Sequence, residues 1–163
     1  MNQQWLNSKQ IKHLAKIIEK QWGFTLKTDY RFLINNDGKV YVASDEVSHF
    51  DISNLKVNHI GLYIGRLILE EFKLSVEGTQ IFGNLAKKNV LELDNNQVFD
   101  WLHGFEVKCE GSHHGFVIIK HEEDFHGCGR HKDGKVINLL PKERRIMSIN
   151  DKKEVTEDVV DSI

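Results

Sequence analysis

The stretch from Gly115 to Ile146, GFVIIKHEEDFHGCGRHKDGKVINLLPKERRI, constrains the fold of this chain more than any other. Val117, Ile118 and Ile119 form an apolar strand. Gly127 and Gly129 read as the flanks of a tight bend, and Asp133-Gly134 is a two-residue hairpin signal. Val136 to Leu140 is a second apolar strand, closed by Pro141. Short apolar runs punctuated this closely predict a compact β unit. The same region carries six Lys or Arg between 126 and 145 (Arg130, Lys132, Lys135, Lys142, Arg144, Arg145) against two acids, Asp133 and Glu143. In a chain of formal net charge −2, that local excess points to an anionic partner rather than to a reaction.

Composition narrows the class further. Two cysteines, Cys109 and Cys128, make no disulfide framework, and a reducing compartment is the simpler expectation. The longest apolar runs are four or five residues, too short for a membrane span. MNQQWLNSKQ lacks the charged start and apolar core of a secretory signal, so a cytoplasmic protein is expected. Of nine histidines, six fall between His103 and His131. Their charged form would be favoured close to phosphates.

Asn7 and Gln10 have capping-box spacing ahead of the apolar stripe Ile11, Leu14, Ala15, Ile18, which predicts a helix over 8–21 ending near Gly23. Tyr30 to Ile34 and Val40 to Ala43 flank Asn35-Asn36-Asp37-Gly38 as a hairpin. His59 to Ile68 alternates as a strand, Phe72 to Val76 reads as another, and Gly78 to Leu85 as a short helix or turn. The first half is thus α+β with its own small core. Lys87-Lys88-Asn89 is a junction. Beyond it come a strand, Val90 to Leu93, and a short helix capped by Asp94, with Val98, Trp101 and Leu102 on one face and Gly104 at its end. Asn150 to Ile163, with five acids and two lysines, reads as an acidic tail.

The order VLEL, a helix ending WLHG, GFVIIKHEEDFHGCGR, a DG hairpin and VINLLPKERRI resembles a PUA domain, an RNA-binding module. It is most similar to the version attached to Sun-type RNA cytosine-5 methyltransferases, whose ending GxG(R/K)…DGK…N…PK(E)RR corresponds here to Gly127, Gly129, Arg130, Asp133, Gly134, Lys135, Asn138, Pro141, Lys142, Arg144 and Arg145. The likeness covers about 88–147. The first half (KVYVAS, GLYIGRL, KLSVEGTQ) is similar to the pre-PUA domain of a ribosome-biogenesis factor shared by archaea and eukaryotes. Together these imply an α+β chain: a small N-terminal α/β pre-PUA domain over 1–86, a PUA-like mixed β barrel over 87–149 and the acidic tail over 150–163. The resemblance also implies RNA contacts at Gly104, where a loop approaches the RNA backbone, and at Lys108 in the same groove. To these the basic cluster adds Arg130, Lys132, Lys142, Arg144 and Arg145, whose guanidinium groups suit phosphates and exposed bases.

Rival readings are few. Cys109-x3-His113 with His126-x-Cys128-x2-His131 has soft ligands for zinc but no CxxC pair, and Cys128 reads as an inward-pointing apolar residue. Phe105 reads as core rather than as a stacking platform, Lys39 and Arg66 as a solvated face rather than an extension of the RNA footprint, and Trp5, Trp22 and Trp101 as core or edge packing. No dinucleotide loop or P-loop occurs, and the methyltransferase half of the Sun-type enzymes, with its catalytic cysteine pair, is absent. The expectation is a non-catalytic RNA-binding protein without metal or cofactor, acting on rRNA or tRNA in rRNA processing, ribosome biogenesis or RNA modification, with a protein partner engaged through the N-terminal domain. The alternative is an accessory subunit or adaptor for an RNA cytosine-5 methyltransferase, binding protein rather than RNA.

Overall fold

The computed structural model describes residues 2–27, 29–51, 54 and 56–147; the acidic tail lies outside them. After the short strand β1 (Gln3–Trp5) comes α1 (Ser8–Trp22), which begins where the capping box places it. The Gln10 N–H donates to Asn7 Oδ1 at 3.0 Å, and the Asn7 N–H donates to Gln10 Oε1 at 2.9 Å. The helix ends at Gly23, whose φ of +73° lets its N–H reach the Glu19 carbonyl. Leu14, Ile17, Ile18 and Trp22 are buried along one face, each contributing about 1.5–3 kcal/mol of hydrophobic stabilisation.

That face covers a five-stranded antiparallel sheet of β1, β2 (Arg31–Asn35), β3 (Lys39–Ala43), β4 (Leu62–Ile68) and β5 (Glu71–Leu74), in sequence order. The β2–β3 hairpin falls at Asn35-Gly38 because Asn35 Oδ1 accepts from the Asp37 and Lys39 N–H groups at 3.0 and 2.9 Å. Between β3 and β4 lies one helical turn, α2 (Asp45–Ser48). The strand expected from His59 starts only at Leu62, after Gly61 turns the chain at φ +84°. The strand expected to run to Val76 stops at Leu74. There Ser75 caps α3 (Val76–Phe82), its Oγ accepting from the Gly78 N–H at 2.9 Å. A 3-10 turn, Gly83–Leu85, follows.

The second sheet is mixed, in the order β6 (Val90–Glu92), β8 (Phe116–His121), β9 (Asp124–Lys132), β10 (Lys135–Asn138) and β7 (Val107–Lys108). Strand β6 runs parallel to β8 and the other pairs are antiparallel. Between β6 and β7 lies α4 (Asn95–Leu102), held by the Asp94/Gln97 capping box, and a 3-10 turn over Lys142–Arg144 closes the unit. The fold is α+β with a PUA-like β barrel.

Gly127 and Gly129 do not bound a bend; both lie inside β9. The β8–β9 turn is Glu122-Glu123, with Glu122 at φ +51°, and no turn residue announces it. Gly127 (φ +84°) sits instead where the β8–β9 register shifts, a bulge. The bulge aims its N–H out of the ladder, onto Thr79 Oγ1 of α3 at 3.0 Å. Gly129 is small because a Cβ there would come within 2.2 Å of Val136 and 2.8 Å of the Trp101 ring.

Each sheet is built from one side of the Lys87-Lys88 junction, but the core does not stop there. Phe116, Ile118 and Cys128 of the second sheet pack in one cluster with Leu14, Ile18, Trp22, Phe72 and Phe82 of the first half. The first half therefore shares its main core rather than owning it. The opposite face of the second sheet, Val117, Ile119 and Val136, packs with Trp101 and Val98 of α4.

Candidate nucleic-acid interface

Strand register decides where the basic residues meet. Lys132 pairs with Lys135, and Lys135 with Lys108, so three lysines form one row across β9, β10 and β7 at the Asp133-Gly134 end of the sheet. Their neighbours Val107 and Val136 are buried against α4, so the lysines stand on the other face. With strands about 4.8 Å apart, the row spans roughly 10 Å. Lys135 Nζ lies 2.5 Å from Glu106 Oε1. Lys108 and Lys132 are exposed, with no carboxylate partner among the described residues.

The arginines are held differently. Arg130 Nη1 meets Glu71 Oε2 at 2.8 Å while its guanidinium lies 4.9 Å from the Phe116 ring centre. Arg144 is paired with Glu77 of α3. Both side chains stay about half exposed, at 45% and 53%, so each can reach solvent but carries a local counter-charge. Arg145 is partly buried: its Nε donates to the Leu140 carbonyl at 3.1 Å, and its chain lies across Gly104, where a Cβ would meet Arg145 Cδ at 2.7 Å. Gly104 (φ +91°) thus admits Arg145 rather than leaving an open cradle. Lys142 is exposed beside them. Lys108 and Lys132 belong to the row, and Arg130 stands two residues along β9 from Lys132 on the same face; Gly104 packs against Arg145, and Arg130 and Arg144 make ion pairs with the first half.

Phe105 is not core: it is 63% exposed, in the loop between Gly104 and the Glu106–Lys135 pair. Asn138 explains its position, its Nδ2 donating to the Trp101 and Phe105 carbonyls at 2.7 and 3.0 Å and holding the loop outward. Phe99, 62% exposed, lies against His103 with ring centres 4.2 Å apart. Sequence reasoning placed Phe105 in the core and passed over Phe99. The available signal was that Phe105 follows the helix-ending glycine, and that Phe99 lies off the Val98–Trp101 face.

The His/Cys group separates. Cys109 Sγ is 3.3 Å from His113 Nδ1, and the His113 and His131 ring centres are 6.3 Å apart. Cys128 faces the opposite cluster, and His126 serves through its carbonyl, which accepts from Trp101 Nε1 at 2.9 Å. Among the described residues no group of three His, Cys, Asp or Glu is placed to hold a metal. Burial pushes the Cys109 thiol up, and that of Cys128 up to about 12, the wrong direction for a thiolate nucleophile. Neither thiol should react with a disulfide reagent in the native protein at pH 8. Titration before and after adding denaturant checks this; prompt native labelling of either would contradict it.

A mixed sheet thus packs a capped helix on one face and carries a lysine row at one end of the other. Residues 88–146 match the family described as the methyltransferase RsmF PUA domain, and this part of the chain resembles the C-terminal domain of Sun-type methyltransferases. More particularly, the chain is similar to ribosomal RNA small subunit methyltransferase F of Vibrio cholerae serotype O1, in strains M66-2 and ATCC 39315 / El Tor Inaba N16961 alike. The identity is 25% over 136 residues, 83% of this chain and 28% of the methyltransferase. The chain thus spans little more than a quarter of these relatives, and the similarity extends from the PUA domain into the first half. Among the described residues no helix is long and apolar enough to cross a membrane.

Proposed function

We propose that this chain binds structured RNA, in rRNA modification or ribosome assembly, without catalysing a reaction itself. The observation that carries this reading is the PUA domain with the Lys108–Lys135–Lys132 row on its rim. Lys108, Lys132 and Lys142 contact phosphates, Phe105 offers a face to an unpaired base, and 2′-hydroxyls select RNA over DNA. Arg130 and Arg144 contribute less, because phosphate must compete with Glu71 and Glu77. Arg145 and Gly104 shape the surface. Residues 1–86 serve as the pre-PUA unit and 87–149 as the RNA-binding unit.

Replacing Lys108, Lys132 and Lys142 with Ala should weaken binding to ribosomal RNA and lower the log–log salt slope by about 2 to 3, at about 0.7–0.9 for each phosphate released. Fluorescence anisotropy at several salt concentrations reads both; an unaltered slope with binding intact removes these lysines from the interface. A second reading is favoured by the likeness to methyltransferase F. In it the chain is an accessory subunit acting in trans, and it would then co-purify with a methyltransferase and raise its activity.

A further inference from the structure

The first sheet carries a cationic row of its own. Lys39 pairs with Arg66 and Arg66 with Lys73, directly opposite one another across β3, β4 and β5. Their strand neighbours Val40, Gly65, Phe72 and Leu74 are buried toward α1, so the three cations stand on the face away from that helix. None has a carboxylate partner among the described residues; Arg66 spends only Nε, on the Asp37 carbonyl at 2.8 Å. Rings accompany them on the same face. Lys39 Nζ lies 6.0 Å from the Tyr63 ring centre, and Tyr63 and exposed His59 both lie against Tyr41, at 5.6 and 5.5 Å. Lys73, His59 and Tyr63 then line the near side of a cleft of about 320 Å³, whose far side holds Pro141, Glu143 and the Arg144–Glu77 ion pair.

We propose that this face binds a single-stranded stretch of RNA, its phosphates laid over the Lys39–Arg66–Lys73 row and its bases turned to the rings of His59 and Tyr63 at the mouth of the cleft. It rests on the RNA-binding reading above and extends it to a second, chemically distinct contact. Three uncompensated cations across about 10 Å complement a sugar–phosphate chain. His59 and Tyr63 present π-faces on which unpaired bases stack without sequence preference. A duplex could not use those rings, because its bases are already stacked; the occupant is therefore unpaired.

The test uses the full chain and two labelled RNAs, a ten-nucleotide oligouridylate and a blunt hairpin. The variant Lys39→Ala/Arg66→Ala/Lys73→Ala should lose about tenfold or more in oligouridylate affinity, with the salt slope lower by about 2 at 0.7 per single-strand phosphate. Its hairpin affinity should be unchanged. Lys39→Ala/Lys73→Ala, which keeps the Arg66–Asp37 bond, should show most of the loss. Oligouridylate bound equally well by wild type and both variants, or not bound by wild type, overturns the proposal and leaves this face to a protein. If the hairpin fails to bind while oligouridylate does so through these residues, the PUA rim fails and this face stands.

Discussion

Trp101→Ala is expected to lower stability by about 3–5 kcal/mol, the range for removing a large aromatic from a packed core. Trp101 is fully buried. Its ring holds α4 against the second sheet and fits over Gly129, whose missing side chain makes the space for it. Its Nε1–H satisfies the His126 carbonyl at the β9 bulge, which the variant leaves without that donor. Cavity and lost hydrogen bond act together, so the melting temperature should fall by about 10 °C or more for a chain of this length. A thermal scan followed by circular dichroism measures it. A drop of only a degree or two would mean that α4 is not anchored through this ring. Trp101→Phe, which fills most of the volume but makes no hydrogen bond, should lie between.

Gly78→Ala should be nearly as damaging, although it adds only a methyl group. A Cβ at Gly78 would stand 2.0 Å from the Ile64 carbonyl oxygen of β4 and 3.0 Å from Leu74 Cδ2. The obstacle is backbone within a sheet and cannot swing aside, so α3 itself must move. Neighbouring Thr79 receives the Gly127 N–H, and Glu77 holds Arg144, so a shift of α3 loosens both links to the second sheet. Overpacking of this kind costs about 1–3 kcal/mol where side chains can give; here the upper end or more is expected, read as a lowered urea midpoint. Gly134→Ala is the contrasting case. A Cβ there meets nothing within 4 Å, and only the φ of +73° opposes it, so its effect should stay near 1 kcal/mol.

Elements whose signals are local were legible in the sequence. Asn7 with Gln10, the Asp94 cap, and the Asn35-Gly38 and Asp133-Gly134 turns each find their partners within a few residues, and each stands where expected. Elements fixed by distant contacts were not. The Gly127/Gly129 spacing mimics a turn, yet one glycine serves a bulge reaching to Thr79 and the other clears space for Trp101. For the site, the charge excess was visible but its distribution was not. Nothing near Arg130 or Arg144 in the chain announces Glu71 or Glu77, which are brought there by the packing of one sheet against the other. Both lysine-bearing rows are products of register, a property of paired strands that no single segment displays.

Phe116, Ile118 and Cys128 rest on side chains contributed by the first half. The second half is therefore no detachable cassette. Excised at the junction, it would turn an oily flank toward water, so grafting it into another protein calls for carrying both sheets along as one piece.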